Sequence, residues 1–148
     1  MTVSKKISHR GNLSGPNPEY ENRPDYIEVA ILAGYDVEVD IWGEGGLRLG
    51  HDFGQYNVGI GWLRQNKNKL LLHCKDAQAL NLFSRLEDEF HFVGHANDPY
   101  VLTSHRYLFT LPFNPLFDRS ILVMPEFFGY SYKGDTCYGV VTDLCSIS

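Results

Sequence analysis

Strict alternation of acidic and apolar residues marks the clearest strand of the chain, at residues 35–42. A period of two is typical of a β-strand, whose successive side chains point to opposite faces. The pattern predicts that Asp36, Glu38 and Asp40 share one face. Three branched apolar side chains share the other face, namely Val37, Val39 and Ile41.

Three carboxylates in a row on one face repel one another unless water or a cation offsets their charge. Two arrangements remain open from the pattern alone. The acidic face lies against solvent in an antiparallel sheet, or it lines the interior of a barrel whose outer, apolar face packs on helices. The second arrangement would place a polar site inside the fold.

Other segments of the chain add strands and two helices. Further strands are expected at 6–9, 47–49, 69–75, 90–93, 100–103, 107–111, 121–124 and 138–142, with a hairpin turn at 43–46. One helix is expected at 24–33, with Asn22 as its cap, Pro24 at its start and Gly34 as its stop. A second is expected at 76–86, capped by Asp76.

This β-α-β order favours a parallel sheet or a barrel. A full eight-fold α/β barrel typically needs about 250 residues, whereas this chain has 148. We therefore predict one domain over residues 1–148, folded as a reduced, truncated TIM-barrel-like α/β structure with its helices mainly in the first half.

Charge and composition narrow the classes of function. Thirteen Lys and Arg against eighteen Asp and Glu give a net charge of −5 without a long basic run, which argues against nucleic-acid binding. Three cysteines without a CxxC spacing indicate a reducing, cytoplasmic location. No apolar window is long enough to predict a membrane span, and the oligomeric state stays open.

Residues with catalytic or ligand chemistry follow three successive predicted strands. The first strand ends in His9 and Arg10, the second carries Glu38 and Asp40, and the third ends in His73 and Lys75. In α/β barrels the catalytic groups lie at the C-terminal ends of the strands. We therefore expect these side chains to converge at one end of the sheet.

The same residues carry a resemblance to a known family. The motifs His9-Arg10-Gly11, Glu21-Asn22, Gly34-Tyr35-Asp36-Val37-Glu38-Val39-Asp40 and Gly50-His51-Asp52 resemble the signature of the glycerophosphodiester phosphodiesterases. Broader relatives of that family are the phosphoinositide-specific phospholipases C. The resemblance covers about the first third of the chain, and residues 139–143 resemble the last strand of these barrels. It implies a phosphodiesterase-type barrel, His9 and His51 as acid and base, and Glu38 and Asp40 as ligands of a divalent cation.

The chain departs from the family at the next strand, where His73 stands in place of the usual acidic ligand and Lys75 keeps the usual lysine. The family implies Mg²⁺ or Ca²⁺, whereas an imidazole ligand suits Mn²⁺ or Zn²⁺. We expect the metal between Glu38, Asp40 and His73. In the alternative arrangement, Arg10 and Lys75 pair with the two carboxylates and no metal binds.

The function implied is metal-dependent cleavage of a small glycerophosphodiester-like or sugar-phosphate ester. His9 and His51 would transfer protons, while Arg10 and Lys75 would offset the charge of the phosphoryl group. The alternative is a weak or inactive relative that binds a phosphorylated sugar or headgroup. Nearby, Trp42 is expected either to wall the site or to pack in the core, and His95 is a candidate for lining a pocket.

Overall fold

A computed structural model of the chain describes residues 2–147 and contains a mixed ten-stranded sheet with three α-helices. The strands are β1 (Thr2–His9), β2 (Asp36–Trp42), β3 (Arg48–Leu49), β4 (Tyr56–Asn57), β5 (Leu70–Cys74), β6 (His91–Val93), β7 (Tyr100–Leu102), β8 (Leu108–Thr110), β9 (Ser120–Val123) and β10 (Thr136–Thr142). The helices are α1 (Pro24–Leu32), α2 (Ile60–Asn66) and α3 (Ala77–Ser84).

Seven neighbouring strands run parallel, in the order β6-β5-β2-β1-β10-β9-β8. The short β7 is antiparallel to β8, and β3 and β4 form an antiparallel extension beyond the end of β2. The register pairs His9 with Glu38, and Asp40 with His73. Because parallel strands end at the same edge of a sheet, this register brings the predicted site residues together.

The apolar face of β2 packs outward against the helices. Val37, Val39 and Ile41 are fully buried in one cluster with Ile27 of α1 and Phe83 of α3. Pro24 begins α1, and Asp76 caps α3 by accepting a hydrogen bond from the Ala79 amide, 2.8 Å away. The apolar half of the alternating pattern therefore holds the helices against the sheet.

The opposite face of the sheet encloses a second apolar cluster. Six of its seven buried members come from six different parallel strands, including the two strands at the ends of the parallel run: Ile7, Leu71, Val93, Phe109, Ile121 and Val141. Side chains from distant strands meet only if the sheet curls on itself. The sheet is not closed, however, and a backbone hydrogen bond from the Ser104 amide to the Phe92 carbonyl, 2.9 Å long, links the turn after β7 to the β6 edge.

The expected strands and the expected hairpin turn are present, and the ends of the strands lie within four residues of their predicted bounds. Both expected helices are also present, but α2 was not predicted because the segment is short and contains Gly61 in its first turn. The three α-helices of residues 2–147 all lie before residue 85. A closed TIM-type barrel is not confirmed. No helix in this part of the chain is long and apolar enough to cross a bilayer.

The prediction that Asn22 caps α1 is wrong. The cap position is Arg23, which makes no side-chain capping bond. Asn22 has a left-handed backbone, with φ of 69°, and its side chain is buried against Asp40. The side-chain amide of Asn22 therefore donates to the buried Asp40 and does not cap the helix.

Candidate metal and acid-base site

A cleft of about 600 Å³ opens at the C-terminal ends of the parallel strands. Five of the seven predicted site residues line it, namely His9, Arg10, His51, His73 and Lys75. The other two, Glu38 and Asp40, lie beneath it and are only 3% and 1% exposed. The acidic face of β2 is thus interior, which rules out the solvated arrangement for these two carboxylates. Asp36, at the far end of the strand, pairs instead with Lys5 at 2.6 Å.

Glu38, Asp40 and His73 form a compact group of ligand-type atoms. One atom from each residue lies within 4.8 Å of the other two. The His73 Nδ1 is 3.3 Å from Asp40 Oδ1 and 3.8 Å from Glu38 Oε1. Two carboxylate oxygens and an imidazole nitrogen at this spacing fit a single divalent cation between them.

The hydrogen bonding of these groups is incomplete. Within residues 2–147, the buried side-chain polar atoms that lack a hydrogen-bond partner are Arg10 Nε, Glu38 Oε1 and Asp40 Oδ1. All three belong to this one site. A buried carboxylate oxygen without a partner is costly, so the two free oxygens are suited to act as ligands of a cation.

The outer nitrogen of His73 is fixed by the backbone. Its Nε2 lies 2.9 Å from the carbonyl oxygen of His95, so Nε2 carries the proton. In the neutral ring, Nδ1 then presents its lone pair to the two carboxylates. This arrangement is repulsive unless a metal ion or a second proton lies between them, and a carbonyl behind the imidazole is the usual support for a metal-binding histidine.

The alternative to a metal ion between His73 Nδ1 and the carboxylates is a second proton on the His73 ring. Burial opposes a charge on the ring, but the Asp40 and Glu38 carboxylates outweigh it and raise the pKa of His73. Burial, followed by the neighbouring Asp40 charge, raises the pKa of Glu38. The space between His73 Nδ1 and the two carboxylates therefore fits either a divalent ion or a proton on Nδ1.

Asp40 is held by Arg10 and Asn22 through one of its two oxygens. Its Oδ2 accepts a 2.9 Å hydrogen bond from the Asn22 side-chain amide and lies 2.8 Å from Arg10 Nε, which is not aligned to donate. Although burial opposes the charge, contact with His73 and the Arg10 guanidinium hold the pKa of Asp40 well below its usual range. Oδ1 makes no hydrogen bond and faces His73 Nδ1 at 3.3 Å.

His9 forms a dyad with Asp143, which follows β10. His9 Nδ1 lies 2.8 Å from Asp143 Oδ1, so Nδ1 donates and Nε2 faces the interior, 3.7 Å from Glu38 Oε2. Asn12 donates to the same Asp143 oxygen at 2.8 Å. Burial works against the charged ring, but the Asp143 hydrogen bond and the Glu38 charge raise the pKa of His9.

His51 lies at the open side of the cleft and is 46% exposed. Its turn is anchored by Gly50, whose amide donates to the Asp40 carbonyl at 3.1 Å and whose carbonyl accepts from Trp42 Nε1 at 2.6 Å. Trp42 therefore supports this turn. Partial burial and the nearby Arg10 charge lower the pKa of His51. Asp52, 88% exposed, lies 3.4 Å from the ring.

In the alternative prediction, Arg10 and Lys75 pair with Glu38 and Asp40, and the structure contains only part of that arrangement. Arg10 does contact Asp40, and its Nη1 also donates to Glu21 at 3.1 Å. Lys75 lines the cleft, but within the described residues it forms no ion pair with Glu38 or Asp40. One guanidinium therefore faces two buried carboxylates, and Lys75 lines the cleft without contacting either of them.

Four further polar residues belong to this site: Asn12, Glu21, Asn22 and Asp143. From the sequence, none of them has an assigned role in catalysis or metal binding, and Asn22 is expected to cap α1. Glu21, Asn22 and Asp143 lie in motifs of the resemblance, and Asp143 also follows the end of a strand. Asn12 gives no such signal, because it lies in a loop that looks like ordinary turn sequence. His95, a candidate for lining a pocket, does line the cleft. Cys74, between His73 and Lys75, is buried in the outer core and does not line the cleft.

Comparison of the chain with protein-family models, with curated proteins and with solved structures gives no match.

Proposed function

We propose that this protein cleaves small phosphodiesters, using a divalent cation held by Glu38, Asp40 and His73 and proton transfer by His9 and His51. We also propose that the fold is a reduced phosphodiesterase-type barrel. The curled parallel sheet, with the candidate site residues at its C-terminal edge, supports this proposal. The substrates we propose are glycerophosphodiester-like or sugar-phosphate esters. The observation that carries the proposal is the pair of unpartnered buried oxygens facing His73 Nδ1.

The bound cation would act as a Lewis acid toward a phosphoryl oxygen and offset its charge. The carboxylates suit Mg²⁺ or Ca²⁺, and the imidazole extends the choice to Mn²⁺ or Zn²⁺. Arg10 and Lys75 add positive charge along the cleft wall, where a phosphodiester anion would gain further charge during attack. The cation, Arg10 and Lys75 together would allow this acidic protein to bind an anionic substrate.

His9 is suited to take a proton from the attacking hydroxyl or water. Asp143 fixes its tautomer so that Nε2 is the atom facing the reaction, as an orienting carboxylate does for other catalytic histidines. His51 is exposed at the opposite, open side, where it can protonate a departing alkoxide. The attacking group is water in hydrolysis, or a neighbouring hydroxyl of the substrate in internal cleavage.

A second candidate function is binding without efficient cleavage, of a phosphorylated sugar or headgroup. It is favoured by the 3.3 Å distance between His73 Nδ1 and Asp40 Oδ1, because a proton on Nδ1 would lie where the metal ion would otherwise bind. Arg10 and Lys75 would still bind a phosphate in that case. The partners proposed in both cases are small molecules, and the buried free cysteines suit the reducing cytoplasm.

Turnover assays separate the two functions. Pure protein is incubated with glycerophosphodiesters and bis(p-nitrophenyl) phosphate, with Mg²⁺, Mn²⁺, Ca²⁺ or Zn²⁺ or with chelator. We expect cleavage only with a divalent ion, and its loss in His9→Ala and in Glu38→Gln. The matched control is His105→Ala, because His105 is exposed and lies outside the cleft. Cleavage that persists in the double variant His9→Ala with His51→Ala refutes the assigned roles.

A further inference from the structure

The two walls of the cleft differ in chemistry. One wall carries cations and imidazoles, including Arg10, Lys75 and His51. The other is apolar and consists of residues at and after the ends of β8 and β9: Leu111, Val123, Met124, Phe127 and Phe128. If the phosphoryl group binds at the polar wall, as the proposed function requires, an apolar part of the substrate must meet the other wall.

The aromatic pair, Phe127 and Phe128, forms the outer part of this apolar wall. Phe127 is 77% exposed and Phe128 is 44% exposed. Their rings pack edge to face, with centroids 5.2 Å apart and planes at 82°. Large apolar side chains that remain exposed on a groove mark a surface that a ligand covers, and this pair offers ring faces for another flat ring.

The turn that carries the aromatic pair is fixed to the catalytic network. Glu126, which immediately precedes Phe127, accepts hydrogen bonds from the Asp143 amide at 2.8 Å and from the Thr142 hydroxyl at 2.9 Å. Asp143 is also the residue that orients His9. The position of the aromatic pair is therefore set relative to the acid-base group, which is the preorganisation expected of a binding wall.

The backbone at the start of this turn supports the same conclusion. Met124 has φ of 47°, in the left-handed region that side chains other than glycine rarely adopt. Its amide still donates to the Val141 carbonyl at 2.8 Å, so the strained residue is held by β10. Such strain persists where the surroundings enforce it, and it is concentrated at ligand sites.

We propose that one of the two alcohols in the substrate carries an aromatic ring, and that Phe127 and Phe128 bind that ring. A cleft of about 600 Å³ is in the range that holds a drug-sized molecule, so a diester of glycerol with a second small, non-aromatic alcohol would leave the apolar wall uncovered. This inference rests on the proposed function for the position of the phosphoryl group. It narrows the substrate to an aryl or nucleobase-bearing phosphodiester.

Binding of three monoesters tests the inference without requiring turnover. Phenyl, cyclohexyl and methyl phosphate carry the same headgroup, and their dissociation constants are measured by NMR titration with and without Mn²⁺. We expect phenyl phosphate to bind about threefold to tenfold more tightly than methyl phosphate, the range that one aromatic contact provides. Phe127→Ala and Phe128→Ala should each reduce this ratio while leaving methyl phosphate affinity unchanged.

Phe117→Ala is the matched control, because Phe117 is 53% exposed and does not line the cleft. It should keep the full preference for phenyl phosphate. Equal binding of phenyl and methyl phosphate refutes the inference and leaves the proposed function intact. Cyclohexyl phosphate binding as tightly as phenyl phosphate also refutes it, because the wall would then recognise apolar area alone. If none of the three binds, the inference and the proposed function both fail.

Discussion

Replacement of Glu38 by Gln distinguishes a metal-binding site from a polar interior that binds no metal. Glu38 is 3% exposed, and its Oε1 has no hydrogen-bond partner. Without metal, this buried charge costs free energy, so Glu38→Gln should leave the melting temperature of the apo protein unchanged or raise it. With metal, the substitution removes one of two anionic ligands and should abolish the stabilisation that the ion provides.

The expected magnitude follows from mass action. An ion that binds only the folded state, present at about 100 times its dissociation constant, adds about 2.7 kcal/mol to the free energy of unfolding. For a domain of this size, each kcal/mol moves the melting temperature by about 2–4 °C. The unmodified protein should therefore gain about 5–11 °C with a suitable ion, whereas Glu38→Gln should gain almost nothing.

Differential scanning fluorimetry with Mg²⁺, Ca²⁺, Mn²⁺ and Zn²⁺, each against chelator, measures both effects. Asp36→Asn is the matched control, because Asp36 lies on the same strand but pairs with Lys5 away from the cleft. Its metal-dependent shift should equal that of the unmodified protein. The reasoning is refuted if no ion shifts the melting temperature, or if Glu38→Gln lowers it in chelator and keeps the full shift in metal.

Three further predictions concern proton transfer, pH and the turn that carries His51. Asp143→Asn should reduce turnover by about a hundredfold to ten-thousandfold and should move the acidic limb of the pH profile of kcat/KM to lower pH, because Asp143 raises the pKa of His9. Burial lowers the pKa of His91 to about 4, so stability should fall by up to about 3 kcal/mol as the pH drops from about 6.5 to about 4, measured by urea unfolding. Gly50→Ala should reduce turnover by displacing His51, because a Cβ at Gly50 would lie 2.0 Å from the Phe53 carbonyl oxygen.

The sign of the His91 effect follows from proton uptake. Between these pH values the unfolded chain binds the proton and the folded protein does not, so acid favours unfolding. His91→Gln should flatten this part of the curve, and an unchanged curve would contradict the assignment. Gly61→Ala is the control for Gly50→Ala, because a Cβ at Gly61 has no heavy atom within 4 Å. Normal turnover in Gly50→Ala would show that the turn does not position His51. An Asp143→Asn enzyme with an unshifted pH profile would show that Asp143 acts on folding alone.

Local sequence determined most of the sheet. The period of two at 35–42 predicted a strand with Glu38 and Asp40 on one face, and β2 buries both toward the interior while its apolar face packs on the helices. Pro24 and Asp76 likewise marked the starts of α1 and α3. These features depend on neighbours within a few residues, so the sequence pattern contains them. The short α2 lacks such a signal and was missed.

Tertiary structure alone decided how the site is completed. The contact of His9 with Asp143 spans 134 residues, and it exists because β1 and β10 pair in parallel in one register. Asn22 reaches Asp40 because the loop after β1 lies against the neighbouring β2. The aromatic pair lines the same cleft as Arg10 and Lys75 once the sheet has curled. Such contacts depend on register and curvature, which are set by the packing of the whole chain. Sequence therefore determined which residues are candidates for the proposed chemistry, and the fold determined which of them meet.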